Sequence, residues 1–184
     1  MISVRRARPA DAAAIGAVHV AAWRSAYPGI LPDSVLTRLS VARQAAQYDF
    51  AIRSGGLVQV ATASGADVGG GAARIVGFVT GGMTRGADRL AEGEIETLYV
   101  LDDWRDRGIG RRLMRAAAAH LAGAGCVSVF VWVLRDNPSR WFYERLGGKA
   151  SAASTVRVGG QNVEQIAYVW SPIDRLVQAA SPAR

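Results

Sequence analysis

Cysteine and lysine are almost missing from this chain. Cys126 is the only cysteine, so no intramolecular disulfide can form, and its apolar surroundings point to a buried, unreactive thiol. Lys149 is the only lysine, so the net charge of +7 rests almost wholly on arginine. Long hydrophobic runs are missing too: Ser, Gly or Arg breaks each one before the roughly 18 residues that a membrane helix requires. The basic start, Met1 to Pro9, is not followed by the apolar segment of an export signal. These absences predict a cytoplasmic protein with no membrane partner. The two histidines, His19 and His120, have no second His, Cys or acid at ligand spacing, so both read as packing or surface residues and no metal is expected.

What is present suffices for a core. Half of the 184 residues are hydrophobic, which suits one domain over the whole chain, with its core at about 2–171 and a frayed tail at 172–184. Arginine-rich codon usage accounts for the positive charge as well as a function does, but its placement is informative. Arg105, Arg107, Arg111, Arg112 and Arg115 crowd one segment, whereas nucleic-acid binders spread charge along a face with aromatics between. The cluster suits a compact, multiply charged anion better than nucleic acid or a ribosomal surface.

Strands are predicted at about 2–6, 57–63, 72–80, 94–100, 127–133, 149–158 and 163–170, from β-branched runs bounded by turn residues. Helices are predicted from Pro9 to Ser25, from Pro32, over 41–53, from Arg107 to Ala122 and from Asn137 to Gly147. Pro9 and Asp11 mark the first entrance. Ile109, Leu113, Ala117 and Leu121 repeat at helical spacing, and Gly123 and Gly125 end that helix. The strand at 127–133 is apolar on both faces, as an interior strand covered on both sides would be. This order implies an α/β (α+β) fold: a mixed sheet with helices on both faces.

Arg105-Asp106-Arg107-Gly108-Ile109-Gly110 joins a strand end to a helix start. Unpaired amide groups and the helix dipole make such a junction an anion site, and glycines at 108 and 110 let the backbone approach a pyrophosphate. A Walker A loop would require Gly-Lys-Ser/Thr, which is absent, and a dinucleotide fingerprint would require a third small residue where Leu113 stands. The Arg-x-x-Gly-x-Gly pattern after Leu98-Tyr99-Val100, followed by Asn137 and Phe142-Tyr143-x-x-Leu146-Gly147, resembles the GNAT superfamily of acyl-CoA-dependent N-acyltransferases. The likeness spans about residues 2–170. Trp23-Arg24-Ser25-Ala26-Tyr27-Pro28-Gly29 is similar to a bacterial branch of that family with no single substrate.

The resemblance implies a central, mostly antiparallel sheet of six or seven strands, splayed between 94–100 and 126–133. It implies acetyl-CoA as co-substrate, with the main chain of Leu98, Tyr99 and Val100 on the pantetheine arm and acetyl carbonyl. Arg105, Asp106, Arg107, Gly108, Ile109, Gly110 and Arg111 would hold the pyrophosphate, and Asn137 the pantetheine amides. Tyr143 would lie beside the thioester sulfur as proton donor. Strand alternation puts Glu94, Glu96 and Leu98 on one face, leaving either acid open as base, substrate anchor or solvated residue. Trp23 and Tyr27 are candidates for the acceptor mouth and equally for core packing. The implied reaction is transfer to an amine of a small molecule or protein, without a covalent intermediate. The oligomeric state is open between monomer and homodimer. A non-catalytic acyl-CoA sensor and an arginine-rich RNA binder are the competing readings.

Overall fold

The computed structural model describes residues 1–84 and 89–181. Its strands are β1 (Ile2–Arg6), β2 (Leu57–Ala63), β3 (Arg74–Met83), β4 (Gly93–Val100), β5 (Val129–Leu134), β6 (Lys149–Val158) and β7 (Gln161–Trp170). They form one seven-stranded sheet in the order β1-β2-β3-β4-β5-β7-β6. Every neighbouring pair is antiparallel except β4–β5. Parallel strands need a crossover rather than a hairpin, and α4 (Ile109–Gly123) supplies it.

The other helices are α1 (Ala12–Ala26), α2 (Asp33–Thr37), α3 (Val41–Arg53), α5 (Arg140–Arg145) and α6 (Asp174–Ala179). On one face of the sheet, α1 and α3 bury Ile15, Val18 and Tyr48 against Val58, Val60 and Phe78. On the other, α4 buries Ile109, Leu113, Met114, Ala117 and Leu121 against Val79, Ile95, Val129 and Val131, with Tyr143 of α5 and Leu176 of α6 in the same cluster. A third cluster joins Tyr27, Leu31 and Leu36 to Val163 of β7. Coverage on both faces explains why β2 and β3 read as continuous apolar runs. The outer strand β6 is mostly exposed, with small and polar residues that blunt an open edge.

Three readings of the sequence change. The strand expected from Val127 begins at Val129; Val127 is 63% exposed, and its amide donates to the Glu92 carboxylate at 2.6 Å. The chain after Ser171 does not fray at once, because it forms α6 with Leu176 fully buried. Arg111 donates to the carbonyls of Ala179 at 2.6 Å and Ser181 at 3.2 Å, fastening that helix end to α4. The rest of the expected tail, 182–184, lies outside the described residues.

The third change lies in β4. Thr80 pairs with Thr97 and Gly81 with Ile95, so Glu96 has no partner on β3 and forms a bulge. A bulge adds one residue and breaks the two-residue alternation. Glu96 and Thr97 therefore point to the same side, toward Thr80. Leu98 packs in the α4 cluster and Tyr99 in the α1–α3 cluster. The expectation that Leu98 shares a face with Glu94 and Glu96 is thus wrong: the extra residue turns Leu98 to the opposite side.

Candidate active site

The bulge coincides with an opening in the sheet. β4 and β5 pair only at Gly93–Val129, Glu94–Phe130 and Ile95–Val131. Beyond these, β4 continues along β3 and β5 continues along β7, so the two strands part and leave a gap between 96–100 and 132–134. Leu101 donates its amide to Val76 O at 2.9 Å. Antiparallel alternation then turns the main-chain groups of Thr97 and Tyr99 toward β3 and those of Leu98 and Val100 toward the gap. Of the three residues expected to offer main-chain groups there, Leu98 and Val100 do so and Tyr99 does not. The reason is pairing: the Tyr99 groups are committed to the sheet.

At the end of β4 the chain turns through Asp102–Trp104 into α4. Gly108 caps the helix with φ +72° and ψ 8°, a conformation that side chains with a Cβ rarely adopt. The Arg112 amide bonds to Gly108 O, and the amides of Ile109, Gly110 and Arg111 have no intrahelical acceptor. A Cβ at Gly108 would meet nothing within 4 Å, whereas one at Gly110 would lie 3.2 Å from the Phe142 ring. Gly108 therefore keeps an open approach to these amides, while Gly110 lets α5 pack against α4. Asp106 also has positive φ, 58°.

The arginines divide. Arg105 pairs with Asp102 at 2.8 Å, and the Arg107 guanidinium lies 4.8 Å from the Trp104 ring centroid; both remain on the turn. The guanidinium of Arg111 is committed to α6, and that of Arg112 donates to Ile2 O at 3.0 Å. Arg111 is exposed, and one of its terminal nitrogens makes both bonds to the end of α6.

On the far side of the gap, Asn137 is buried. Its side-chain carbonyl accepts the Ser139 amide at 2.9 Å, and its Nδ2 reaches the Tyr27 hydroxyl at 3.5 Å. Tyr143 is buried, with ring centroids 5.3 Å from Phe142 and 6.2 Å from Tyr168. Burial pushes its phenol well above the usual tyrosine range, with Tyr27 adding to the rise. Tyr27 is also buried and lies edge-on to Trp23, 5.0 Å between centroids. The indole Nε1 of Trp23 is buried with no hydrogen-bond partner. The Tyr99 phenol lies close enough for this indole to act on it. Of the sequence candidates, the fold brings Trp23, Tyr27 and Asn137 together beside Tyr99 of β4, with Tyr143 near enough to Tyr27 to feel it.

Glu94 and Glu96 lie on the α1–α3 side at the point where the strands part. Glu94 is half-buried and its carboxyl is raised, first by burial and then by the charge of Glu96. Glu96 is more exposed, and the Thr80 hydroxyl donates to its Oε2 at 3.4 Å. Sequence reading passes over Thr80 and Thr97, whose hydroxyls are 2.7 Å apart, and over Phe130 and Trp132, which lie on the same sheet face as Glu94 through the Glu94–Phe130 pairing. Cross-strand neighbours follow from register, which one strand's sequence does not contain. His19 is buried, with Nδ1 2.6 Å from the Tyr48 hydroxyl, and burial lowers its pKa to about 4. Among the described residues no three His, Cys, Asp or Glu are grouped as a metal site would require, and no helix is long and apolar enough to cross a membrane.

A gap between two parallel strands, with free helix amides at one end and the buried Tyr27, Asn137 and Tyr143 beside it, is a cleft of an α/β fold suited to an anionic ligand. Residues 23–148 match the model of the Acetyltransferase (GNAT) family. A Bacillus subtilis protein named as the uncharacterized N-acetyltransferase YuaI is 29% identical over 176 residues, covering 96% of each chain. Among solved structures, the GCN5-related N-acetyltransferase from Rhodopseudomonas palustris is 25% identical with TM-score 0.68, covering 92% of this chain and 94% of the other. The yncA acetyltransferase of Salmonella typhimurium, solved with its cofactor acetyl-CoA, shares the fold at 20% identity and TM-score 0.68, covering 93% and 94%. The chain belongs to the acetyltransferase (GNAT) family and is an acyltransferase.

Proposed function

We propose that this enzyme moves the acetyl group of acetyl-CoA to a primary amine of a small molecule or protein, by direct attack within a ternary complex. The observation that carries the reading is the parting of β4 and β5 after Ile95–Val131, next to the open amides at the start of α4. The diphosphate of the co-substrate suits those amides, with Arg105 and Arg107 adding charge. The pantetheine arm suits the free edge of β4, where Leu98 and Val100 offer the groups a missing strand would use, and Asn137 faces it from the other wall. One of these edge amides can stabilise the oxyanion of the attacked thioester, an effect worth about 3 kcal/mol.

Tyr143 is held neutral by burial, so its hydroxyl serves as a donor to the departing sulfur. Glu94 or Glu96 receives a proton from the amine. Trp23 and Tyr27 bound the acceptor side. Coupling α1–α2 to the β6–β7 hairpin through Tyr27, Leu31, Leu36 and Val163 closes that wall. Free thiol appearing when acetyl-CoA meets a panel of primary amines, and not when it stands alone, is the expected result. Tight acetyl-CoA binding with no thiol released by any amine would instead mark a sensor.

A further inference from the structure

The turn that ends α1 carries Tyr27 to Asn137 and fixes it there. Its amide donates to Trp23 O at 3.1 Å, closing the last turn of the helix, and its carbonyl accepts the amides of Ile30 and Leu31, both at 3.0 Å. Gly29 makes that reversal with φ +77°, a conformation open to glycine. The Tyr27 ring lies edge-on to Trp23 and packs with Leu31, Leu36 and Val163. Backbone and packing thus hold the ring whether or not it ends in a hydroxyl. Burial raises the phenol, against bonds from the Tyr99 hydroxyl and Asn137, so the group stays neutral and can accept a hydrogen bond.

The bonds of Asn137 show what that hydroxyl does. The Asn137 main-chain amide donates to Leu134 O at 3.0 Å, and its main-chain carbonyl accepts the Arg140 amide at 3.1 Å, so the backbone is set between β5 and α5. The side-chain carbonyl accepts the Ser139 amide at 2.9 Å. A backbone N–H can only donate, so this bond decides which end of the side-chain amide is oxygen. The nitrogen end then faces Tyr27, where Nδ2 donates to the hydroxyl at 3.5 Å. A side-chain amide has two N–H groups and two carbonyl lone pairs, and these contacts use one of each. One donor and one acceptor are left on a buried side chain, the pair that the secondary amides of a pantetheine arm would use. Left misdirected in a buried place, they would instead go unmet at a cost.

Resting on the proposed acetyl transfer, we infer that Tyr27 is a positioning residue for the cofactor arm: its hydroxyl, delivered from α1, sets the Asn137 side chain so that the remaining donor and acceptor meet the pantetheine amides. Tyr27 acts through Asn137 and makes no bond to the arm itself. The acceptor wall and the cofactor wall are then one unit, because the ring that packs with Leu31, Leu36 and Val163 ends in the group that holds Asn137. Removing the hydroxyl leaves the ring in place and frees the amide to turn. The loss falls on the pantetheine half of the ligand, and the nucleotide half at the start of α4 is spared.

Calorimetric titration of the full chain tests this with two probes, acetyl-CoA and 3′-phospho-ADP, which keeps the diphosphate and lacks the pantetheine arm. Tyr27→Phe should weaken acetyl-CoA about tenfold and leave 3′-phospho-ADP within about twofold. Asn137→Ala should weaken acetyl-CoA at least as much, and adding Tyr27→Phe to it should cost less than about twofold more, since both changes remove one device. Unchanged acetyl-CoA affinity in Tyr27→Phe, equal weakening of both probes, or the full loss repeated in the Asn137→Ala background overturns the inference. A second reading needs no change at Tyr27. In nitrogen-labelled parent protein, the Asn137 side-chain amide signal, identified by its loss in Asn137→Ala, should show slow hydrogen exchange before any ligand is added. Fast exchange there equally overturns it. A parent protein that binds neither probe would defeat the acetyl-transfer reading beneath the inference, a failure distinct from one confined to Tyr27→Phe.

Discussion

Tyr143 shows how one residue is constrained from several sides. It is buried among Phe142, Tyr168 and Trp170, and its carbonyl accepts the Gly148 amide at 3.0 Å, so its ring is fixed by packing and its hydroxyl is spared for chemistry. Replacing it with Phe keeps the packing and removes only the donor. Tyr143→Phe should lower turnover about 100-fold while leaving acetyl-CoA affinity within twofold, read by thiol release and calorimetry. His19 makes a different prediction. Its folded pKa of about 4 is depressed from 6.5, so between these values the unfolded chain binds the proton and the folded chain does not. Stability is then present above pH 6.5 and lost as pH falls toward 4, by up to roughly 3 kcal/mol. Urea unfolding of the parent protein should show this slope, and His19→Gln should flatten it. Asn137 and Tyr143 stand out in the sequence because a short local pattern carries them, and the fold buries both. Thr80 and Thr97 do not, because the meeting of their hydroxyls depends on a strand register that distant residues set.

At the scale of elements, most boundaries were legible, since periodicity and turn residues are local signals. The predicted 41–53 and 57–63 coincide with α3 and β2. The bulge at Glu96 left no such trace: Glu94, Glu96 and Leu98 alternate regularly in sequence, and only pairing with β3 shows the added residue. The C-terminal helix was hidden for another reason. Six residues carry little propensity of their own, and α6 exists because Ile173 and Leu176 enter the α4 cluster and Arg111 ties down its last carbonyls. Ending the chain at Ser171 should therefore cost roughly 3–6 kcal/mol, counting two or so buried aliphatic side chains, and lower Tm by about 10 °C. An unchanged Tm would mean that the helix adds nothing to the core. The same local logic separates the glycines of the α4 entrance, because Gly108 is required by its φ of +72° and Gly110 by the nearness of Phe142.

For the whole molecule, the sheet is continuous except where β4 and β5 part, and the charge that composition reports as arginine excess is partly spent inside the fold. Arg111 and Arg112 fasten α4 to the two ends of the chain, and the proposed diphosphate site rests first on the backbone amides at the start of α4. That conclusion makes a small residue at 108 more important to ligand binding than any single guanidinium. Calorimetric titration of CoA and acetyl-CoA into the full chain at low ionic strength, alongside Gly108→Trp, tests it most directly. Both ligands should give saturable heat near one equivalent, and the substitution should abolish it, whereas Gly108→Ala, which strains the same positive-φ turn without the bulk, should retain it. No heat from the parent protein, or undiminished binding by Gly108→Trp, would contradict the account.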